Sequence, residues 1–250
     1  MSLRFHEIAE ANHRILNPFT HEKLMLLGEV CRLRAGQRQL DLACGKAEML
    51  CQWAKRWGIH GTGVDISTVF LAAARERAVE FGVADQITLI EADAGQYLVD
   101  AANDSSRYDL VSCIGATWIG GGLVGTLKLM QAVVKPEGLL LVGEPYWIDT
   151  PPDAAYAAHG FSKEDYTSLV GTLDRFESVG LDLVEMVLAD QDSWDRYEAA
   201  QWWTVNEWMR AHPDDPDLPA IRETIATWRR TYLEYGRRYF GWGIFVLRPR

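Results

Sequence analysis

The chain is short of cysteine, of long apolar runs and of positive charge, and each shortage excludes something. Four cysteines occur in 250 residues, at Cys31, Cys44, Cys51 and Cys113, and none stands at the close paired spacing that builds a zinc site. His13, His60 and His159 complete no metal-ligand pattern either, so no metal is expected. No apolar stretch approaches the roughly 18 residues that a membrane span requires. The opening MSLRFHEIAEANHRIL lacks the apolar centre and small-residue cleavage site of a secretory signal. These absences favour a cytoplasmic, soluble protein with no membrane partner. Lysine and arginine number 25 against 35 acidic residues, a net charge of −10. The basic residues are scattered, with short clusters only at Arg229-Arg230 and Arg237-Arg238, which argues against nucleic acid as a partner.

What is present is an alternation. Short β-like runs at 38–43 (RQLDLA), 60–66 (HGTGVDI), 86–92 (QITLIEA), 108–115 (YDLVSCIG) and 139–147 (LLLVGEPYW) are separated by stretches of helical character. Helices are expected over 20–34, over 47–58, from the N-cap Ser67 to Gly82, over 94–102 and over 123–134. Lys135-Pro136-Glu137-Gly138 reads as a turn. Beyond Pro151-Pro152 come a helix over 162–180, a strand over 181–189 and a tryptophan-rich helical stretch over 192–235 interrupted at 212–219. The chain closes on a strand, YFGWGIFVLRP. Such alternation implies crossover helices and a parallel sheet covered on both faces.

In an open α/β sheet, ligands bind beyond the carboxyl ends of the strands, so the residues at those ends matter most. The first run ends in Asp41-Leu42-Ala43-Cys44-Gly45-Lys46-Ala47-Glu48, and the second in Asp65-Ile66. The third ends at Asp93-Ala94, the fourth at Cys113-Ile114-Gly115 and the fifth at Glu144-Pro145-Tyr146-Trp147. Gly45 permits a tight turn and close approach of the backbone to a ligand. A carboxylate after the second strand can accept both ribose hydroxyls of a nucleoside, and one after the third can accept from an exocyclic amine. With Asp41, three carboxylates gather round one pocket, which suits a cationic nucleoside and suits a pyrophosphate poorly. A dinucleotide site also wants G-x-G-x-x-G, where this turn reads A-C-G-K-A-E. Glu48 at the helix start is expected to repel a pyrophosphate.

These segments resemble the class I S-adenosylmethionine-dependent methyltransferases. LDLACGKAE resembles the family's glycine-rich first motif, GTGVDIS its acidic second-strand end, and IEADA its adenine-contacting segment. YDLVSCIGATW and KPEGLLLVGEPYW resemble its fourth and fifth strands. HRILNPFT, together with GEPYW, resembles a set of bacterial members of unassigned substrate, distantly similar to quinone and sterol methylators. The resemblance implies an α/β, Rossmann-like three-layer sandwich whose seven-stranded sheet has the order 3-2-1-4-5-7-6, with the last strand antiparallel. It places Asp41, Ala43 and Gly45 at the methionine end of S-adenosylmethionine, Asp65 and Ile66 at the ribose, Asp93 and Ala94 at the adenine, and Cys113 and Ile114 beside the sulfur. S-adenosylhomocysteine is the implied product. The usual glycines at 43 and 47 are alanine here, which adds two methyl groups beside the cofactor and is tolerable where φ stays negative.

One domain is expected over 1–250. Residues 1–35 form its helical cap, 36–147 its cofactor-binding half, and 148–250 a substrate-side half with the insertion 192–235. Methyl transfer to a small-molecule acceptor proceeds by in-line displacement and draws chiefly on positioning. Where the acceptor must lose a proton, Glu144, Tyr146 and His13 are the candidate catalytic groups. Trp118, Tyr146 and Trp147 are expected to line a partly apolar substrate pocket. Two other readings stay open at this level: a nicotinamide-dependent oxidoreductase, and a non-catalytic protein that binds S-adenosylmethionine.

Overall fold

The computed structural model describes residues 2–101 and 107–250. Met1 and residues 102–106, which fall in the expected cap and cofactor-binding half, lie outside the described residues. Two helices, α1 (Leu3–Ala9) and α2 (His21–Val30), precede the sheet. The strands β1 (Arg38–Leu42), β2 (His60–Asp65), β3 (Ile87–Glu91), β4 (Tyr108–Ile114) and β5 (Val134–Trp147) then alternate with α3 (Glu48–Trp57), α4 (Thr68–Phe81), α5 (Ala94–Ala101) and α6 (Leu123–Gln131). After α7 (Asp153–His159) and α8 (Leu169–Glu177) come β6 (Leu181–Leu188), α9 (Gln191–Ala211), α10 (Leu218–Thr231) and β7 (Phe240–Pro249). The sheet order is β3-β2-β1-β4-β5-β7-β6. The first five strands pair in parallel, and β7 runs antiparallel to both β5 and β6.

Side chains alternate across a strand, and the two faces bury different clusters. On one face Leu24 and Leu27 of α2, Leu50 and Trp53 of α3, and Ala74 and Ala78 of α4 pack with Leu110, Leu141 and Ile244. On the other, Leu98 of α5, Leu127 of α6 and Phe176 of α8 cover Leu40, Leu42, Val111 and Val142. A third cluster stands apart from the sheet, where Phe5, Ile8 and Ala9 of α1 meet Val205, Ile221 and Ile225 of α9 and α10. The N-terminal helix and the insertion therefore bury apolar surface against each other.

Local chemistry sets the element ends. The Ser67 hydroxyl accepts from the Phe70 amide and Gly82 stops α4 at φ +70°. The helix expected over 20–34 ends at Val30, and Arg32 turns the chain at φ +54°. The helix expected from Ser162 begins at Leu169. Asp165 takes the Ser162 amide at 2.7 Å and Arg175 holds the Glu164 and Asp165 carbonyls, so that stretch is committed to a turn. Lys135–Gly138 form an excursion within β5: Tyr108 lies opposite Val134, but Leu110 lies opposite Leu139.

Candidate functional site

The turn after β1 keeps a glycine-like backbone although two of its glycine positions carry a methyl. Ala43, Gly45 and Ala47 have φ of +53°, +54° and +53°. The condition under which alanine is free of strain, a negative φ, is thus not met, and each carries the left-handed cost of roughly 1–2 kcal/mol. Ala47 is buried in the core cluster beneath α3, and Ala43 is half-buried against the opposite cluster. At Gly45 a Cβ would lie 2.6 Å from Cδ1 of Leu16 in the segment arching over the turn, so that side chain would have to shift.

Asp65 organises this rim. Its Oδ2 accepts the Gly45 amide and its Oδ1 the Ser67 amide, both at 2.8 Å. A carboxylate offers about four acceptor positions, so each oxygen retains one, and these two can meet a pair of vicinal hydroxyls. Asp41 is buried beside it and accepts from the Ser112 hydroxyl at 2.6 Å. Burial, with the nearby Asp65 adding to it, pushes Asp41 up to about 7. Asp93 is exposed and serves first as an N-cap, accepting the Gln96 amide at 2.8 Å. Ala94 is buried behind it, and Ile66 is exposed between the ends of β2 and α4.

Glu48 does not face this rim. Its carboxylate is buried, pairs with Arg77 and Arg14, and accepts from Gln52 at 2.6 Å. The expected repulsion of a pyrophosphate by Glu48 is therefore corrected; the acid that meets the turn is Asp65.

At the ends of β4 and β5 the expected residues separate. The Cys113 side chain is fully buried in the core, leaving only its main chain at the rim, while Ile114 is half-buried on the opposite face. Burial pushes all four thiols up, Cys31 and Cys51 to about 12, so none is a ready nucleophile. Glu144 is buried, accepts the Thr117 hydroxyl at 2.8 Å and is pushed up to about 7 by its burial. Trp118, on the turn following β4, is 72% exposed. Tyr146 and Trp147 are neighbours on a strand and point to opposite faces. Tyr146 packs into the cluster around Phe176, its ring over Gly241, whereas Trp147 joins Tyr156, His159 and Phe240.

The structure also brings in residues that sequence reading passed over. Lys46 is buried and donates to the carbonyls of Glu10, Ala11 and His13, each at 2.8 Å. The Ser67 hydroxyl donates to Glu7 at 2.6 Å. These contacts seat α1 and the segment after it on the ends of β1 and β2. Glu10 in turn accepts from Tyr197 and Gln201 of α9. His13 comes within 3.1 Å of Glu10 without hydrogen-bond alignment, and burial lowers its pKa. A lysine in a turn and polar residues on an amphipathic helix look solvent-facing in sequence, which is why they gave no signal.

A doubly covered sheet of this order, with an acid holding a tight turn after β1, defines a class of protein. The chain belongs to the class I S-adenosylmethionine-dependent methyltransferases. A methyltransferase-domain family model matches residues 40–138. In particular, the chain is 45% identical over 249 residues to the uncharacterized protein YjhP of Escherichia coli K12, covering 99% of this chain and 98% of that one. A SAM-dependent methyltransferase from Geobacter sulfurreducens, solved in complex with S-adenosyl-L-homocysteine, superposes with a TM-score of 0.93 at 45% identity, covering 100% and 99% of the two chains. One from Thiobacillus denitrificans, in the same kind of complex, gives 0.92 at 43% with the same coverage.

Proposed function

We propose that this protein transfers a methyl group from S-adenosylmethionine to a small-molecule acceptor. The observation that carries the reading is Asp65, buried at the end of β2, with one acceptor position left on each oxygen while its others fasten the turn. In this reading Asp65 takes the ribose hydroxyls, Asp93 and Ala94 the adenine, and Asp41 faces the cationic methionine end. The Ile114 side chain and the main chain of Cys113 close the floor. The sulfonium supplies a good leaving group, so the residues of the chain align the acceptor and exclude water. Residues 1–20, 146–162 and 192–235 cover that side and select the acceptor. The left-handed backbone kept at Ala43 and Ala47 preserves the turn's shape, which favours a working cofactor site over a degenerate one.

Calorimetry with S-adenosylmethionine, S-adenosylhomocysteine and NADH tests this, followed by a labelled-methyl screen against metabolite pools. Both sulfur nucleosides bind, and Asp65→Ala weakens them about a hundredfold, equivalent to about 3 kcal/mol for two hydrogen bonds to a charged group. Tight binding of NADH with neither sulfur nucleoside bound would instead establish the oxidoreductase reading.

A further inference from the structure

Between α9 and α10 the surface opens into a cleft of about 330 Å³, lined by Asn206, Met209, Arg210, Pro213, Leu218 and Arg222. Asn206, Met209 and Arg210 share one face of α9 by their spacing, and Leu218 and Arg222 share one face of α10. The two faces confront each other across the cleft, and Pro213 closes it from the connecting loop. Met209 and Leu218 are half-buried and give it an apolar side, while Asn206, Arg210 and Arg222 are exposed. Next to these residues Val205 and Ile221 are buried against α1, which fixes the separation of the two helices. A volume of this order falls at the lower end of the range for small-molecule sites.

The polar groups of the cleft are donors short of acceptors. Among the described residues the side chains of Arg222 and Asn206 take part in no hydrogen bond or ion pair. Arg210 reaches only the exposed Glu207, at 3.7 Å, a pairing worth little against water. Two acids of the connecting loop, Asp215 and Asp217, are both taken by Arg4 beside α1. Asp214 and Glu223 are exposed and line no part of the cleft. Two guanidiniums thus stand over one cleft without a close counter-charge, in a chain whose net charge is −10. A carboxylate completes this set, because its two oxygens match the fork of a guanidinium. Met209, Pro213 and Leu218 ask in addition for an apolar body, to which the flexible methionine can adapt. A cation meets the wrong sign, and a bare inorganic anion leaves the apolar side unfilled.

We infer that this cleft binds a small organic anion, a carboxylate on an apolar skeleton, with its charge at Arg210 and Arg222. None of the lining residues belongs to the rim around Asp65, so this ligand is neither cofactor nor methyl acceptor, and it binds whether or not a methyl is transferred. Seated there, it ties α9 to α10 where both pack on α1.

NMR of the full chain with carbon-13 methionine methyls tests it, the Met209 signal being assigned through Met209→Leu. The probes are 3-phenylpropanoate, 3-phenylpropan-1-ol, 3-phenylpropan-1-amine and acetate. 3-Phenylpropanoate shifts the Met209 signal and binds at least about tenfold more tightly than the other three, as charge-assisted fork hydrogen bonds joined to apolar contact require. Arg222→Gln weakens the carboxylate at least about fivefold, and Arg210→Gln with Arg222→Gln abolishes its advantage over the alcohol. Both arginines are exposed, and unchanged signals from the methionines outside the cleft show that each variant is folded. The single variants repeat the test where the double one fails that check. A Met209 signal that does not respond to 3-phenylpropanoate overturns the site. So does equal binding of the alcohol, the amine or acetate, or a preference for the carboxylate that survives the substitutions.

Discussion

At Ala43 the backbone and the side chain disagree, and the backbone prevails. A φ of +53° is where glycine sits freely and alanine does not. The turn is held there from outside, by Asp65 on the Gly45 amide and by the Cys44 amide bonded to the Val64 carbonyl at 3.0 Å. Relief of the left-handed cost by glycine recovers roughly 1–2 kcal/mol, and the freer unfolded chain takes back about 0.4–1. Ala43→Gly is therefore expected to stabilise the protein by about 0.5–1 kcal/mol, seen as a rise of about 2–4 °C in Tm per kcal/mol for a chain of this size. A lower Tm would mean that the Ala43 methyl contributes more in packing than it costs in strain. Ala47 is the poorer choice for this test, because its methyl is wholly buried.

Among the elements, α1 is too short to persist alone and depends on what it touches. Its apolar face lies on α9 and α10, and its carboxyl end is fastened by one ammonium donating to three carbonyls. Lys46→Met keeps much of the stem's volume and deletes those bonds. It leaves carbonyls beneath the segment 10–13 without a donor, a loss of about 3 kcal/mol. Hydrogen exchange is expected to quicken over residues 3–13 and in the α9 stretch that packs on them, with β1, β4 and β5 unchanged. Uniform exchange in variant and parent would show that the apolar cluster alone holds the cap. The sequence offered Lys46 only as the residue after Gly45, since its partners are main-chain carbonyls more than thirty residues away.

For the whole molecule, burial of acids makes stability depend on pH in an unusual sense. Glu10, Asp41, Glu144 and Glu198 are each pushed up to about 7, burial being the leading cause for all four. A carboxyl whose native pKa lies above its unfolded value binds its proton more tightly when folded. Its contribution is unchanged below the ordinary carboxylate range, falls as pH rises toward 7, and is level above that. The half-buried His6, His13 and His159, with lowered pKa values, act in the opposite direction over neighbouring pH. A difference measurement isolates one acid from this sum. Glu144→Gln retains an acceptor for the Thr117 hydroxyl and cannot ionise. Relative to the parent, it is expected to gain about 2 kcal/mol between pH 5 and pH 8, read from denaturant unfolding at both. A constant difference across that range would place Glu144 in a solvated setting.

Much of the architecture could be read before any coordinates. Short apolar runs alternating with helical stretches imply crossovers, Ser67 and Gly82 bracket α4 by their capping chemistry, and the acids recur at strand ends because strand ends are where such a sheet binds ligands. These are local signals, written in periodicity of 2 or 3.6 and in turn residues, and they survive without knowledge of partners. Tertiary structure decided the rest. It turned Glu48 toward Arg77, left Ala43 and Ala47 in a glycine's conformation, and set Glu10 against Gln201. Each of these outcomes depends on which side chain lies across a gap of many residues in sequence, a distance over which no period or spacing carries information.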